Sequence, residues 1–301
     1  MSEFHSGFVV LAGRPNVGKS TLLNTLVGHK LSIVTPRPQT TRHRLIGLKN
    51  LPEAQIAFID TPGLHHGPRR GLNRAMNRTA SAALGDADVV LFLIEALKWT
   101  AEDAMALGRI AEAAGPETRR SVIAVVNKVD RVRPRERLLP YLAELAARHT
   151  FADIVPVSAQ KGDNLPELTR LIVQALPVGE PMFPADQLTD RSKSFRIAET
   201  IREKLSLELV EELPYGIAVE VESLTPTEDG RIEVSALIWV DRRGHKPIVI
   251  GAQGERLRRI GRAARLELNR TFGERFHLTL WVKVREDWAD DARALRQLGV
   301  E

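Results

Sequence analysis

The chain has no cysteine among its 301 residues, which excludes a disulfide framework and any cysteine-ligated metal cluster and points to a reducing compartment. Long apolar runs are also missing. The longest, Val89 to Ile94, is strand-sized, and the N-terminal stretch Met1 to Gly7 lacks the charged start and apolar core of a signal peptide. These absences predict a cytoplasmic protein that does not span a membrane. Low-complexity tracts and internal repeats are absent too, and 43% hydrophobic with 27% charged residues is ordinary for a folded soluble protein. A chain of this length has room for about two domains, each with its own core. Lysine is scarce, at 10 of 43 basic residues, a bias that fits a GC-rich or thermophilic source.

The formal net charge of +5 is too small to dictate a partner, but its distribution is informative. Residues 181–301 hold 20 basic against 21 acidic residues, yet the stretch from Arg242 to Arg275 within them carries ten basic and three acidic. Such a cluster suits a polyanion; the bland alternative is a solvated helix face.

The strongest local signal is Gly13-Arg14-Pro15-Asn16-Val17-Gly18-Lys19-Ser20, which fits GxxxxGK[ST] after an apolar strand, Phe8 to Ala12, and before a helix that opens at Ser20-Thr21. The glycines let successive N–H groups turn toward phosphates, Lys19 meets their charge, and the Ser20 hydroxyl ligates Mg²⁺. Further apolar runs at Gln55–Asp60, Asp88–Glu95, Ser121–Val126 and Asp153–Val157 lack polar alternation and are separated by helical spacing. That pattern predicts an α/β domain with a mostly parallel sheet. Residues 44–50 are expected to pair antiparallel with 55–60 as an edge hairpin.

Ligands of such sheets sit at the carboxyl ends of the strands, where the remaining motifs fall. Asp60-Thr61-Pro62-Gly63 offers a carboxylate to the magnesium shell and a glycine N–H to a γ-phosphate. Asn127-Lys128-Val129-Asp130 selects the base, because an ionised Asp130 accepts from both N1–H and the exocyclic amine of guanine, a donor pair that adenine lacks. Ser158-Ala159 would add further base contacts. The loop Thr35 to His43 lies where a first switch segment belongs, with Thr41, or Thr40 next to it, as a metal ligand that engages only when the γ-phosphate is present. A second switch is expected from Gly63 through Gly71. Within it Leu64 stands where signalling GTPases commonly place a water-orienting glutamine, so intrinsic hydrolysis should be slow. His65 and His66 read as surface histidines, with no metal-type partners nearby in the sequence. Lys19, Asp60, Gly63 and Thr41 form the expected catalytic set; Ser20, Thr41 and Asp60 form the expected metal set. The nucleotide set runs through Gly13–Thr21, Asp60–Leu64, Asn127–Asp130 and Ser158-Ala159.

A proline-rich stretch, Pro177 to Pro184, marks a boundary near 180. The expected division is 1–178 for the nucleotide domain, 179–193 for a linker and 194–301 for a second domain. The latter reads helix, strand, strand, helix, a GxxG loop at Gly251-Ala252-Gln253-Gly254, helix, strand. A GxxG turn lets a nucleic-acid backbone approach with no Cβ in the way. Ile250 to Gly254 with Arg256, Arg258 and Arg259 are the expected RNA contacts, although Ala252 and Gln253 bring no charge to the loop itself.

The order of nucleotide motifs resembles the translation-factor class of small GTPases, and the second half resembles a type II KH domain, an α+β fold. The whole resembles the Era family of bacterial ribosome-associated GTPases. The matching residues are Gly13 to Asn24, Gln39 to Arg44, Asp60 to Leu64, Asn127 to Asp130, Ser158-Ala159, Trp281 to Val284 and Trp288 to Asp291. The resemblance implies GTP and Mg²⁺ as ligands, slow GTP hydrolysis, assembly of the 30S subunit, and a KH groove for the single-stranded 3′ end of 16S ribosomal RNA. It further implies a loose membrane-surface association and K⁺ beside Asn16 in place of an arginine finger; a monomer with no DNA partner is expected. Two other readings share the same motifs: a constitutive RNA chaperone with incidental GTP turnover, and a signalling GTPase whose C-terminal domain binds protein.

Overall fold

The structure is a computed structural model that describes residues 3–37, 40–63, 71–114, 121–209 and 216–300. The described chain divides into two compact units. One comprises residues up to 32, 41–63 and 76–190; the other takes in 33–40, 71–75 and 191–300.

In the first unit, β1 (His5–Ala12), β2 (Leu45–Asn50), β3 (Ala54–Asp60), β4 (Val89–Glu95), β5 (Ser121–Asn127) and β6 (Asp153–Pro156) form a sheet in the order β2-β3-β1-β4-β5-β6. Only β2 is antiparallel, opposite β3. The helices are α1 (Lys19–Val27), α2 (Gly71–Gly85), which starts in the second unit and ends in this one, α3 (Ala101–Ala114), α4 (Leu138–Ala146) and α5 (Leu165–Ala175). The strands are apolar on both faces because helices cover both. Val90, Phe92 and Ile94 pack with Ala106 and Ile110 of α3 on one face, and each large side chain so buried contributes roughly 1.5–3 kcal/mol. Residues 183–190 run along the β2 side of this unit. The Leu48 N–H donates to the Leu188 carbonyl at 3.0 Å and the Ile46 N–H to Asp190 Oδ1 at 2.9 Å. These contacts cover an otherwise open sheet edge.

In the second unit, α6 (Lys193–Glu208), β7 (Ile217–Pro226), β8 (Arg231–Val240), α7 (His245–Ile250), α8 (Glu255–Phe272), β9 (Arg275–Val284) and α9 (Ala292–Gln297) follow in order. The sheet is β7-β8-β9, with β8 parallel to β9. Alternate residues of β8 (Ile232, Val234, Ala236, Ile238) meet Ile197, Ile201 and Leu205 of α6 and Ile260, Ala264 and Leu268 of α8 in one core. The short apolar run before the GxxG turn is helix α7, so the turn connects two helices.

The stretch Trp288 to Asp291 has a structural task in this unit. Trp288 is buried and donates through Nε1 to the Gly216 carbonyl at 3.3 Å. Asp290 Oδ1 accepts from the Gly71 N–H at 2.6 Å and the Ala289 carbonyl from the Leu72 N–H at 2.8 Å, satisfying the first donors of α2. Asp291 caps α9 through the Arg293 N–H at 2.8 Å.

Candidate nucleotide site and nucleic-acid interface

Between β1 and α1 the chain turns through Gly13 to Gly18. Gly18 lies at φ 106°, and a Cβ there would stand 2.3 Å from Asn127 Nδ2, so no other residue fits. Lys19, the first residue of α1, curls back over the loop. Its Nζ donates to the carbonyls of Gly13 at 2.9 Å and Arg14 at 3.0 Å. Burial pushes its pKa down to about 8, with the Asp60 charge opposing that shift. A buried ammonium held only by neutral carbonyls gains strongly from an anion placed in the loop.

On the metal side, Asp60 at the end of β3 is 0% exposed. Its Oδ2 accepts from Ser32 Oγ at 2.7 Å, Ser20 Oγ at 2.8 Å and Thr41 Oγ1 at 3.3 Å, while Ser20 Oγ and Thr41 Oγ1 are 2.8 Å apart. Burial raises the Asp60 pKa, against these hydrogen bonds and the charge of Lys19. Asp60 Oδ1 is buried with no hydrogen-bond partner. Two hydroxyls beside a carboxylate with a spare oxygen fit a hard cation such as Mg²⁺, which takes few protein ligands and completes its shell with water and phosphate. Among the described residues no group of three or more His, Cys, Asp or Glu could hold a metal. The geometry also separates the two threonines: Thr41 joins this cluster, whereas Thr40 Oγ1 bonds Thr35 Oγ1 and the Arg37 carbonyl, both at 2.6 Å.

Sequence reasoning missed Ser32. It is placed by Asn24, whose Oδ1 accepts from the Leu31 and Ser32 N–H groups at 2.9 Å each. Gly63 lies against Pro15, where a Cβ would stand 3.0 Å from the Pro15 nitrogen. Thr61 donates to the Leu11 carbonyl at 3.1 Å. Pro38, Gln39, Leu64, His65 and His66 fall outside the described residues.

On the base side, Asn127 is a brace. Its Nδ2 donates to the Val17 carbonyl at 2.8 Å, and its Oδ1 accepts from the N–H groups of Lys128 at 2.8 Å and Ala159 at 2.9 Å. Lys128 Nζ reaches the Asn16 carbonyl at 2.8 Å and Glu95 Oε2 at 2.9 Å. Three strand-end motifs are thereby locked together. Ser158 Oγ donates to Asp130 Oδ1 at 2.7 Å, and this bond is the main cause holding the Asp130 carboxyl below the usual range. The bond also fixes the orientation of the carboxylate, whose other oxygen can accept from an N–H donor. Arg14 turns away from the loop: its Nε lies 3.1 Å from both Asp103 oxygens and its Nη2 3.4 Å from Glu95 Oε2. Arg14 thus reaches a ligand through its backbone, and its side chain ties the loop to α3.

In the second unit, Gly251 sits at φ 74° with a Cβ position 2.7 Å from Arg256 Cβ, so the first glycine of the turn is required both by conformation and by space. A Cβ on Gly254 would meet nothing within 4 Å. The three arginines differ. Arg256 Nη1 donates to the Ile248 carbonyl at 2.8 Å and braces the turn; Arg259 pairs with Glu208; Arg258 is exposed. Ile250 ends α7, and Ala252 and Gln253 are exposed. An open glycine turn at the head of a helix with basic side chains beside it suits a phosphate backbone.

Comparison with known proteins finds relatives of both units. A family model described as a 50S ribosome-binding GTPase matches residues 8–128, and a KH-domain model matches residues 212–289. GTPase Era of Haemophilus influenzae is 46% identical over 98% of this chain and 96% of its own length. The chain belongs to the Era family of GTPases. GTPase Era of Pasteurella multocida is 44% identical over 99% of this chain and 96% of its own. A crystal structure of Era with MgGDPNP and nucleotides 1506–1542 of 16S ribosomal RNA superposes with a TM-score of 0.93 at 41% identity, covering 99% of each chain. A variant of Aquifex aeolicus Era bound to GDP and AlF₄⁻ gives 0.94 at 40% identity, again over 99% of each chain. The Era likeness therefore spans the nucleotide motifs and the GxxG turn in one alignment.

Proposed function

We propose that this chain is a GTP-hydrolysing switch in assembly of the 30S subunit. In this reading residues 1–178 bind and hydrolyse GTP, 179–193 join the halves, and the KH module in 194–301 holds the single-stranded 3′ end of 16S ribosomal RNA. The observation that carries the reading is the Ser20–Thr41–Asp60 cluster with its unpartnered carboxylate oxygen, next to the buried Lys19. It is supported by whole-length similarity to an Era crystallised with MgGDPNP and that RNA segment.

Each residue has a task. The backbone N–H groups of residues 13–21 and the Lys19 ammonium hold the β- and γ-phosphates. Asp130 accepts from the guanine edge, and Ser158 fixes its carboxylate through a hydrogen bond. Mg²⁺, when bound, would supply positive charge to offset the charge that develops on the phosphates. Ser20 and Thr41 would hold it through their hydroxyls and Asp60 through its carboxylate. Hydrolysis joins a water oxygen to the γ-phosphorus while the bond to the β–γ bridging oxygen breaks; GDP leaves with that electron pair and phosphate departs with the water's oxygen. Leu64 has no group to orient the water, so backbone such as the Gly63 N–H or a partner must, and the intrinsic rate is slow. A K⁺ ion at Asn16 would supply positive charge where no arginine finger is present; equal rates in Na⁺ and K⁺ buffers would rule it out.

We place this monomer in the cytoplasm with RNA rather than DNA as its partner. Loose association with a membrane surface is supported by the family resemblance alone, and among the described residues no helix is long and apolar enough to cross a membrane. The test is titration of labelled single-stranded RNA of the 16S 3′ sequence against protein loaded with GDP or with a non-hydrolysable GTP analogue. Tighter binding with the analogue supports the switch. Equal binding in both states indicates a constitutive RNA chaperone, and no binding at low salt indicates a signalling GTPase with a protein-binding C-terminal domain.

A further inference from the structure

Residues 128–137 carry five basic side chains, Lys128, Arg131, Arg133, Arg135 and Arg137, against two acidic ones, Asp130 and Glu136. A base-selecting motif has no use for so large an excess. Four of the five line a single cavity of about 220 Å³ in the first unit, with Glu95 as the one carboxylate among the described residues of its wall. The wall is built on backbone bonds: the Ala96 N–H donates to the Asn127 carbonyl at 2.9 Å, the Arg131 N–H to the Lys128 carbonyl at 3.0 Å and the Val132 N–H to the Val129 carbonyl at 3.1 Å. Arg131, Arg133 and Arg137 are exposed. Among the described residues none of the three forms a salt bridge, and Arg133 Nη1 donates to the Val132 carbonyl at 2.9 Å.

The volume is below the roughly 300–1,000 Å³ of pockets that enclose a whole small-molecule ligand, and it suits a phosphate group with its waters. Guanidinium forks bind phosphate oxygens two at a time, and three of them beside an ammonium outweigh one carboxylate. That ammonium, Lys128 Nζ, is already shared. It donates to Glu95 Oε2 at 2.9 Å and to the Asn16 carbonyl at 2.8 Å, the bond that ties the base motif to the phosphate loop. A phosphate in the cavity offers Lys128 an ionised acceptor, a better partner for an ammonium than a neutral carbonyl. We propose that this cavity is a phosphate-binding site, and that its occupant draws Lys128 from Asn16 and so speeds release of the guanine nucleotide bound next to it. Either a free phosphate or one on a nucleic-acid backbone presents the oxygens required. The effect on nucleotide rests on the reading of Asn127 to Asp130 as the base site.

For the test, full-length wild type and the triple variant Arg131→Gln/Arg133→Gln/Arg137→Gln are loaded with fluorescent GDP, and its release is timed after a chase of unlabelled GDP. Inorganic phosphate is titrated in one arm and a single-stranded oligouridylate in the other, at fixed ionic strength and fixed free Mg²⁺. Release is a unimolecular step, so competition for the phosphate loop leaves its rate untouched. The three substituted side chains are exposed, so the variant keeps its core, and thermal unfolding checks this. Wild type should release GDP about fivefold faster at saturating phosphate, the lower end of ordinary coupling between two sites, and the triple variant should show no dependence on phosphate. Acceleration by the oligouridylate that is lost in the triple variant identifies a nucleic-acid backbone as the source; acceleration by inorganic phosphate alone, lost in the same variant, identifies a free anion. No acceleration in wild type, or equal acceleration in both proteins, overturns the inference while the retained GDP upholds the base site. Failure of wild type to retain GDP overturns the base-site reading and the inference with it.

Discussion

The two halves of the chain use the same backbone device for different ends. A glycine in left-handed conformation opens α1 at Gly18 (φ 106°) and α8 at Gly254 (φ 75°), each leaving the free N–H groups of a helix start facing outward. Around Gly18 the structure is closed: a Cβ would strike Asn127, and Lys19 and Asp60 are buried beside it. Around Gly254 it is open, with exposed Arg258 nearby. The enclosed turn suits a compact ligand that is bound by many fixed groups and must be shielded from water. The open one suits a polymer that passes through. Ligand size is thus written in what surrounds the turn rather than in the turn.

The contrast can be broken, and the largest effect is expected at the closed site. Gly18→Ala should abolish measurable GTP binding by isothermal titration, because both conformation and space forbid the Cβ; Gly254→Ala, strained in conformation alone, should lose about 1 kcal/mol of stability and keep RNA binding. Retained GTP affinity in the first variant together with lost RNA affinity in the second would reverse the comparison. Asp130→Asn comes next. Asn keeps one oxygen to accept from N1–H and turns the other contact into a donor, which suits the 2-oxo group of xanthine, so preference should move from GTP toward xanthosine triphosphate by about a hundredfold in the Kd ratio; an unchanged ratio would remove the reason for assigning guanine. Gly254→Asp should weaken RNA binding about tenfold in a low-salt titration by setting a negative charge against phosphate, with GTP affinity intact. The smallest effect is expected away from both turns. Asp290→Ala should cost about 1 kcal/mol as a lost helix cap, read as faster hydrogen exchange in the first turn of α2 and not in α8; uniform exchange would show that the cap is not local.

Much of this was legible because short motifs carry their own geometry. Glycine, lysine and serine at fixed spacing define the phosphate loop, and the apolar strands without alternation announce a sheet covered on both faces. What escaped reading depends on partners distant in sequence. Arg14 sits inside the motif, yet its side chain is claimed by Asp103, 89 residues away. Ser32 follows α1 with no pattern to mark it, and only the fold brings it to Asp60. Residues 183–190 look like a tether by composition, but their backbone and Asp190 are used by β2. The choice between Thr40 and Thr41 needed atoms: adjacent residues of one type differ only in which way the chain turns them. Trp288 to Asp291 was visible as family wording and nothing more, since a cap is recognisable only beside the helix it serves.

That cap has a consequence for truncated copies. Asp290 lies 219 residues beyond Gly71, so the first donors of α2 find their acceptors in a segment far along the chain. A copy cut short before its last segment would have the complete set of phosphate-gripping residues and still lack the clasp for the stretch that follows them. One carboxylate and one carbonyl thus make the opening of an early helix answer to a late stretch of sequence.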